Sequence, residues 1–178
     1  MATARPYISH YAIRARNYRA VVDWYLAVFD GRVQHENEFL SFMTYDDEHH
    51  RFVIFEAPDT VERPAGAHGV DHVAFGLATH GEMAETYERL KSLGIMPFGK
   101  LNHRFTTSLY YHDPDGNEVE FSVDNFKTKA ETSEFLFTKE MEEIGRPPFG
   151  YEFDPEELVR LYREGASFEE LARVGLPA

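Results

Sequence analysis

Apolar and polar residues alternate through YISHYAIR at 7–14, and from Asn17 to Phe29 the apolar positions recur every three or four residues. The first pattern predicts a strand, and the second a helix with Val21, Trp24, Tyr25 and Val28 on one side. Gly31 is expected to end that helix, and the runs 32–37, 39–46 and 50–56 read as three short strands. A Pro- and Gly-containing linker, APDTVERPAGAHG, follows. The order then recurs, with a strand at 70–77, a helix at 81–93 closed by Gly94, and strands near 95–101, 105–112 and 117–123. His10 precedes Gly31 by 21 positions and His72 precedes Gly94 by 22, so the two segments are versions of one βαβββ unit.

Each unit has one bare sheet face to bury. The predicted architecture is therefore α+β: one pseudo-symmetric domain over 6–126, with module one at about 6–57, a linker at 58–68, module two at about 69–126, and a cleft between curled sheets. Beyond Phe126 the pattern turns helical. DPEE at 154–157 and SFEE at 167–170 are capping-box starts, which makes 127–178 a helical C-terminal extension outside the repeat.

Composition narrows the function classes. With no cysteine, disulfides, thiolate metal sites and a cysteine nucleophile are excluded, and any metal falls to imidazole and carboxylate. A net charge of -13, much of it between Glu131 and Glu170, opposes nucleic-acid and anionic-membrane partners. MATARPY is too short and polar for a signal peptide and no apolar run is long enough to span a membrane, so a cytoplasmic protein is expected. Unpaired sheet edges predict a homo-oligomer.

Strand alternation places His10 with Ile8 and Ala12, and His72 with Val70 and Ala74, both facing the cleft. A single strand histidine is most simply a packed side chain satisfied by backbone carbonyls. A matched pair suits a metal, because neutral imidazole is the commonest ligand. Glu120, between Val119 and Phe121, is the candidate carboxylate. Tyr45 to Ile54 and Tyr111 to Glu120 both span nine positions, so Ile54 is its expected counterpart in the first module. Two histidines and one carboxylate form a facial set that leaves coordination positions open and suits non-haem Fe(II).

The doubled βαβββ units with SHYAIRA, GVDHVAF and SLYYHDPDGNEVEF resemble the vicinal oxygen chelate superfamily and, within it, the type I extradiol ring-cleaving dioxygenases, over roughly residues 6–126. The resemblance implies His10, His72 and Glu120 as iron ligands, a catechol-type aromatic diol and O2 as substrates, and a ring-opened semialdehyde or keto acid as product. Mn(II) is compatible with the same donors. EHHRFVIFEAP resembles the segment that supplies the acid-base histidine. His50 fits better than His49, since it shares strand parity with Ile54. Tyr110 takes the position of the family's active-site tyrosine, and a five-residue connection over 113–117 would set it opposite Glu120; a four-residue turn would favour Tyr111. His103 resembles a further active-site histidine, displaced by about two positions.

Two other readings stay open. Glu56 shares parity with Ile54, and as a fourth ligand it would make the site resemble glyoxalase I, a zinc- or nickel-dependent lyase or isomerase. The superfamily also includes metal-free proteins that bind small ligands, in which the histidines would only line the cleft. Phe105, Phe121 and the tail aromatics Phe135, Phe137, Phe149, Tyr151 and Phe153 could clothe an apolar cleft, with the tail packed over its mouth or against a second subunit.

Overall fold

The β-branched and aromatic runs of the first half pair into a four-stranded sheet in a computed structural model that describes residues 5–64, 66–144 and 149–177. The residues at 1–4, part of the stretch on which the absence of a leader was argued, lie outside that range. The strands are β1 (Tyr11–Ala15), β2 (Arg32–Glu36), β3 (Leu40–Thr44) and β4 (Phe52–Glu56), in the order β1-β4-β3-β2. Between β1 and β2 the amphipathic α1 (Tyr18–Phe29) buries Val21, Val22, Tyr25 and Val28. Its Tyr25 and Phe29 rings meet Phe52 of β4 at centroid distances of 4.9 and 4.8 Å. The core of this unit thus lies between helix and sheet, with Ile13, Ala15, Met43 and Ile54 buried beside it.

The second half repeats the plan with β5 (His72–Gly76), α2 (His80–Ser92), β6 (Gly99–Asn102), β7 (Thr106–His112) and β8 (Glu118–Asp124). Thr79 caps α2 by accepting from the Glu82 amide, as a β-region N-cap should. Met83, Ala84, Tyr87 and Leu90 of α2 are buried, as are Leu109, Tyr111, Val119, Phe121 and Val123 of the sheet. By alternation the opposite face of β8 carries Glu118, Glu120 and Ser122.

The chain divides into two compact units. One comprises residues up to Gly69 together with the Asp113–Asn117 turn; the other comprises Val70–His112 and everything from Glu118 onward. That turn is closed by Asp113, which accepts from the amides of Asp115 and Asn117, and Asp115 in turn accepts from the backbone amides of Arg16 and Asn17 just ahead of α1.

One expectation needs correction. Gly31 does not turn the chain out of α1: the left-handed residue is Asp30, at φ 48°, a conformation that Asp tolerates better than most side chains. In the second unit the same role falls to Gly94, at φ 77°. The helical C-terminal extension is present, and it also adds to the sheet. Its helices are α3 (Lys129–Phe135), α4 (Lys139–Ile144), α5 (Pro155–Arg163) and α6 (Phe168–Leu171), but between α4 and α5 the two-residue β9 (Tyr151–Glu152) pairs antiparallel with β6 as a fifth strand, giving the order β5-β8-β7-β6-β9. A two-residue strand has no period to read.

Among the described residues no helix is long and apolar enough to cross a membrane.

Candidate active site

The second unit gathers four of the predicted residues around one cavity of about 640 Å3. His72 opens β5, and Glu120 lies on the neighbouring β8, where it pairs in register with Ala74. His72 Nε2 stands 2.9 Å from Glu120 Oε2, and the Nδ1–H donates to Asp71 Oδ2 at 2.9 Å. Glu120 is only 7% exposed. A carboxylate buried to that degree requires a cation or strong donors. Imidazole nitrogen and carboxylate oxygen converge here, with the second ring nitrogen tied to an outer carboxylate, as metal-ligating histidines generally are. The donor set fits a divalent metal such as iron.

Tyr110 on β7 pairs directly with Glu120, because the connection from β7 to β8 spans the five residues 113–117. Its ring meets His72 edge-on at 5.5 Å, and its hydroxyl shares a 3.1 Å hydrogen bond with His103 Nε2. Burial pushes the Tyr110 phenol above its ordinary pKa, and the negative charge of Glu120 pushes it the same way. His103 is shifted down, first by burial; the Glu120 charge opposes that shift and His72 adds to it. Gly99, across from Tyr110, keeps the ring's place open: a Cβ there would approach Tyr110 Cδ2 to 3.0 Å. Tyr111 alternates to the α2 side and is fully buried.

In the first unit His10 sits exposed just before β1, its ring 4.7 Å from that of His50. His50 also stacks on Phe42 at 4.8 Å. Its pKa is lowered, chiefly by burial and then by the neighbouring His49 and His10. His49 is mostly exposed, with 72% of its side-chain surface accessible. Within neither unit do three or more His, Asp or Glu side chains of the described residues gather as a metal site.

Residues 7–121 match the family described as the Glyoxalase/Bleomycin resistance protein/Dioxygenase superfamily. The chain belongs to that superfamily. It is 42% identical over 154 residues to Biphenyl-2,3-diol 1,2-dioxygenase 2 of Rhodococcus globerulus, spanning 86% of this chain and 80% of the relative. It is 36% identical over 171 residues to Biphenyl-2,3-diol 1,2-dioxygenase 3 of the same organism, spanning 95% and 88%. Among solved structures, a glyoxylase/bleomycin resistance protein/dioxygenase domain from Frankia sp. superposes with a TM-score of 0.58 at 18% identity, over 70% of this chain and 96% of that one, a likeness of fold.

Within the superfamily's repeated module, one expected equivalence shifts by a residue. Ala12 pairs with Val53 as Ala74 pairs with Glu120, so the counterpart of Glu120 is Val53 and not Ile54. Ile54 follows Phe52 onto the α1 side, and Glu56 shares that parity. The expectation that Glu56 shares the ligand face therefore fails. His50 reaches the face of Phe42 and Val53 because it precedes β4, where strand parity no longer applies.

The aromatic candidates divide. Phe105 and Phe149 line the cavity; Phe121 turns to the α2 side with Tyr111, Phe153 is buried, and Phe137 is 91% exposed. Asp71, Phe98, Met141 and Ile144 line the cavity without having been singled out. A carboxylate adjoining a candidate ligand was a readable signal for Asp71. Met141 and Ile144, three apart in the otherwise polar KEMEEI, were a readable amphipathic pair.

Proposed function

We propose that the chain is an Fe(II)-dependent extradiol dioxygenase that opens the ring of a catechol-type aromatic diol with O2. The observation that carries this reading is the convergence of His72 Nε2 and Glu120 Oε2 in a mostly apolar cavity that also holds the Tyr110 hydroxyl. Identity to two biphenyl-2,3-diol dioxygenases over most of the chain supports it. His72 and Glu120, with His10 as the third ligand, would hold the iron; Mn(II) is compatible with the same donors. Bound iron supplies a centre where the diol oxygens and O2 become neighbours.

The side chains do the rest. Tyr110, kept protonated by its environment, donates to the diol oxygen or to the charge that develops on it, and His103 fixes the direction of that hydroxyl. His50 takes the proton of the second hydroxyl and returns one before the product leaves. The mostly apolar lining suits the aromatic ring of the diol. Both oxygen atoms end in the ring-opened product, so no external reductant is consumed.

The test is anaerobic loading with Fe(II), then 2,3-dihydroxybiphenyl and catechol under air, followed by oxygen uptake and yellow colour. Wild type should turn over and Glu120→Ala should not. Iron-loaded protein that leaves every diol intact overturns the reading.

A further inference from the structure

The superfamily match stops at residue 121; beyond it the cavity is lined by Ser122 of β8 and by three side chains of the C-terminal extension, Met141, Ile144 and Phe149. Much of the polar lining comes from the repeat module, including His72, His103, Tyr110 and Glu120, so the tail contributes apolar surface only. That surface is held in place from several directions. β9 adds to β6 through Leu101–Glu152 and Asn102–Tyr151 pairing, and the Phe153 amide donates to the Lys100 carbonyl. Arg104, left-handed at φ 68°, ion-pairs with Glu140 of α4 at 2.5 Å and lies over the Tyr151 ring at 5.4 Å. Buried Asn102 donates to the carbonyls of Ala172 and Val174, and Tyr162 and Tyr87 tie α5 to α2 through Glu85 and Glu156. A segment fixed by this many independent contacts is a wall.

We propose that this C-terminal wall sets substrate size: Met141, Ile144 and Phe149 read the apolar substituent of the diol, so that this chain prefers a two-ring diol to catechol itself. The proposal rests on the dioxygenase reading and adds the residues that choose among diols. A pocket of about 640 Å3 lies within the range of small-molecule sites, roughly 300–1,000 Å3, and leaves space beyond one ring. Ile144 is 9% exposed and Met141 half-buried, while Phe149 is 55% exposed. An exposed phenylalanine on a cavity rim gains most when a second ring covers it.

The experiment has two arms on the full-length chain. In the first, calorimetry of the metal-free protein measures the affinity ratio of 2-hydroxybiphenyl to phenol. In the second, the iron-loaded protein gives kcat/KM for 2,3-dihydroxybiphenyl and for catechol. Met141→Ala and Phe149→Ala should each lower both ratios by about tenfold, the scale for lost apolar contact in a pocket. Phe149→Ala guards against misfolding, since that side chain is largely exposed, and thermal melts check both variants. Ratios unchanged in both variants, with diols still cleaved, overturn the wall and leave the dioxygenase standing. A chain that discriminates the two phenols and loses this in the variants, yet cleaves no diol, keeps the wall and removes the dioxygenase.

Discussion

Asp71 accepts a 2.9 Å hydrogen bond from the Nδ1–H of His72, its immediate neighbour in the chain, so the ring's other nitrogen is directed at Glu120. Outer carboxylates of this kind fix ring orientation and raise ligand basicity. Because the Asp71 side chain is 89% exposed, its replacement leaves packing intact. Asp71→Asn should weaken Fe(II) or Mn(II) binding by about 10- to 100-fold with an unchanged melting temperature. Anaerobic calorimetry checks it, and equal affinity would show that His72 needs no such orientation.

Tyr110 stands opposite Glu120 and hydrogen-bonds His103 at 3.1 Å. Tyr110→Phe keeps the ring against His72 and removes only the hydroxyl. Loss of a preorganised donor aimed at developing charge costs about a hundredfold in kcat. Metal affinity should not move, so a variant that loses iron instead would place Tyr110 among the groups that hold the site together.

The module repeat was legible because its signals are long: a twelve-residue helix and clean alternation survive small errors of boundary. His72, Glu120 and Tyr110 followed from strand alternation together with the five-residue connection, both countable on paper. What failed was register inside the first module. The nine-residue count from Tyr45 assumed equal hairpins, whereas seven residues separate the end of β3 at Thr44 from the start of β4 at Phe52, so the count slipped by one and moved Ile54 to the wrong face. The tail's place in the sheet was illegible, since β9 has only two residues and its stability comes from groups as remote as Asn102 and Arg104.

His80, 2% exposed at the start of α2, shares a 2.9 Å hydrogen bond with Asn125 Oδ1, which therefore accepts from Nε2–H. Asn125 in turn donates to Asn102 and accepts from Thr107, joining α2 to the residues that hold the tail. Burial lowers the His80 pKa, and the Asn125 bond only partly opposes this. With the folded value below the unfolded one of about 6.5, stability is whole above pH 6.5. It declines as the pH falls toward the folded value, because the unfolded chain takes up the proton first. Urea unfolding at pH 7.5 and 5.5 should show this loss, and His80→Gln, which can still donate to Asn125, should flatten the difference. An equal loss in the variant would assign the pH effect to other groups.

Gly150 and Gly165 share a left-handed backbone, at φ 86° and 79°, and differ in what surrounds them. A Cβ on Gly165 meets nothing within 4 Å, whereas one on Gly150 would lie 2.7 Å from the Asn102 carbonyl oxygen and 2.9 Å from His103 Nδ1. Gly165→Ala therefore measures the backbone cost alone, about 1–2 kcal/mol, and should leave turnover unchanged. Gly150→Ala carries that cost plus a collision with the residue that orients Tyr110. It should destabilise more and also lower kcat, by displacing His103 rather than by removing any group that touches the diol. Denaturant unfolding and steady-state kinetics on the pair separate the two effects. If Gly150→Ala lost stability while keeping full kcat, the tail would support the sheet without positioning His103.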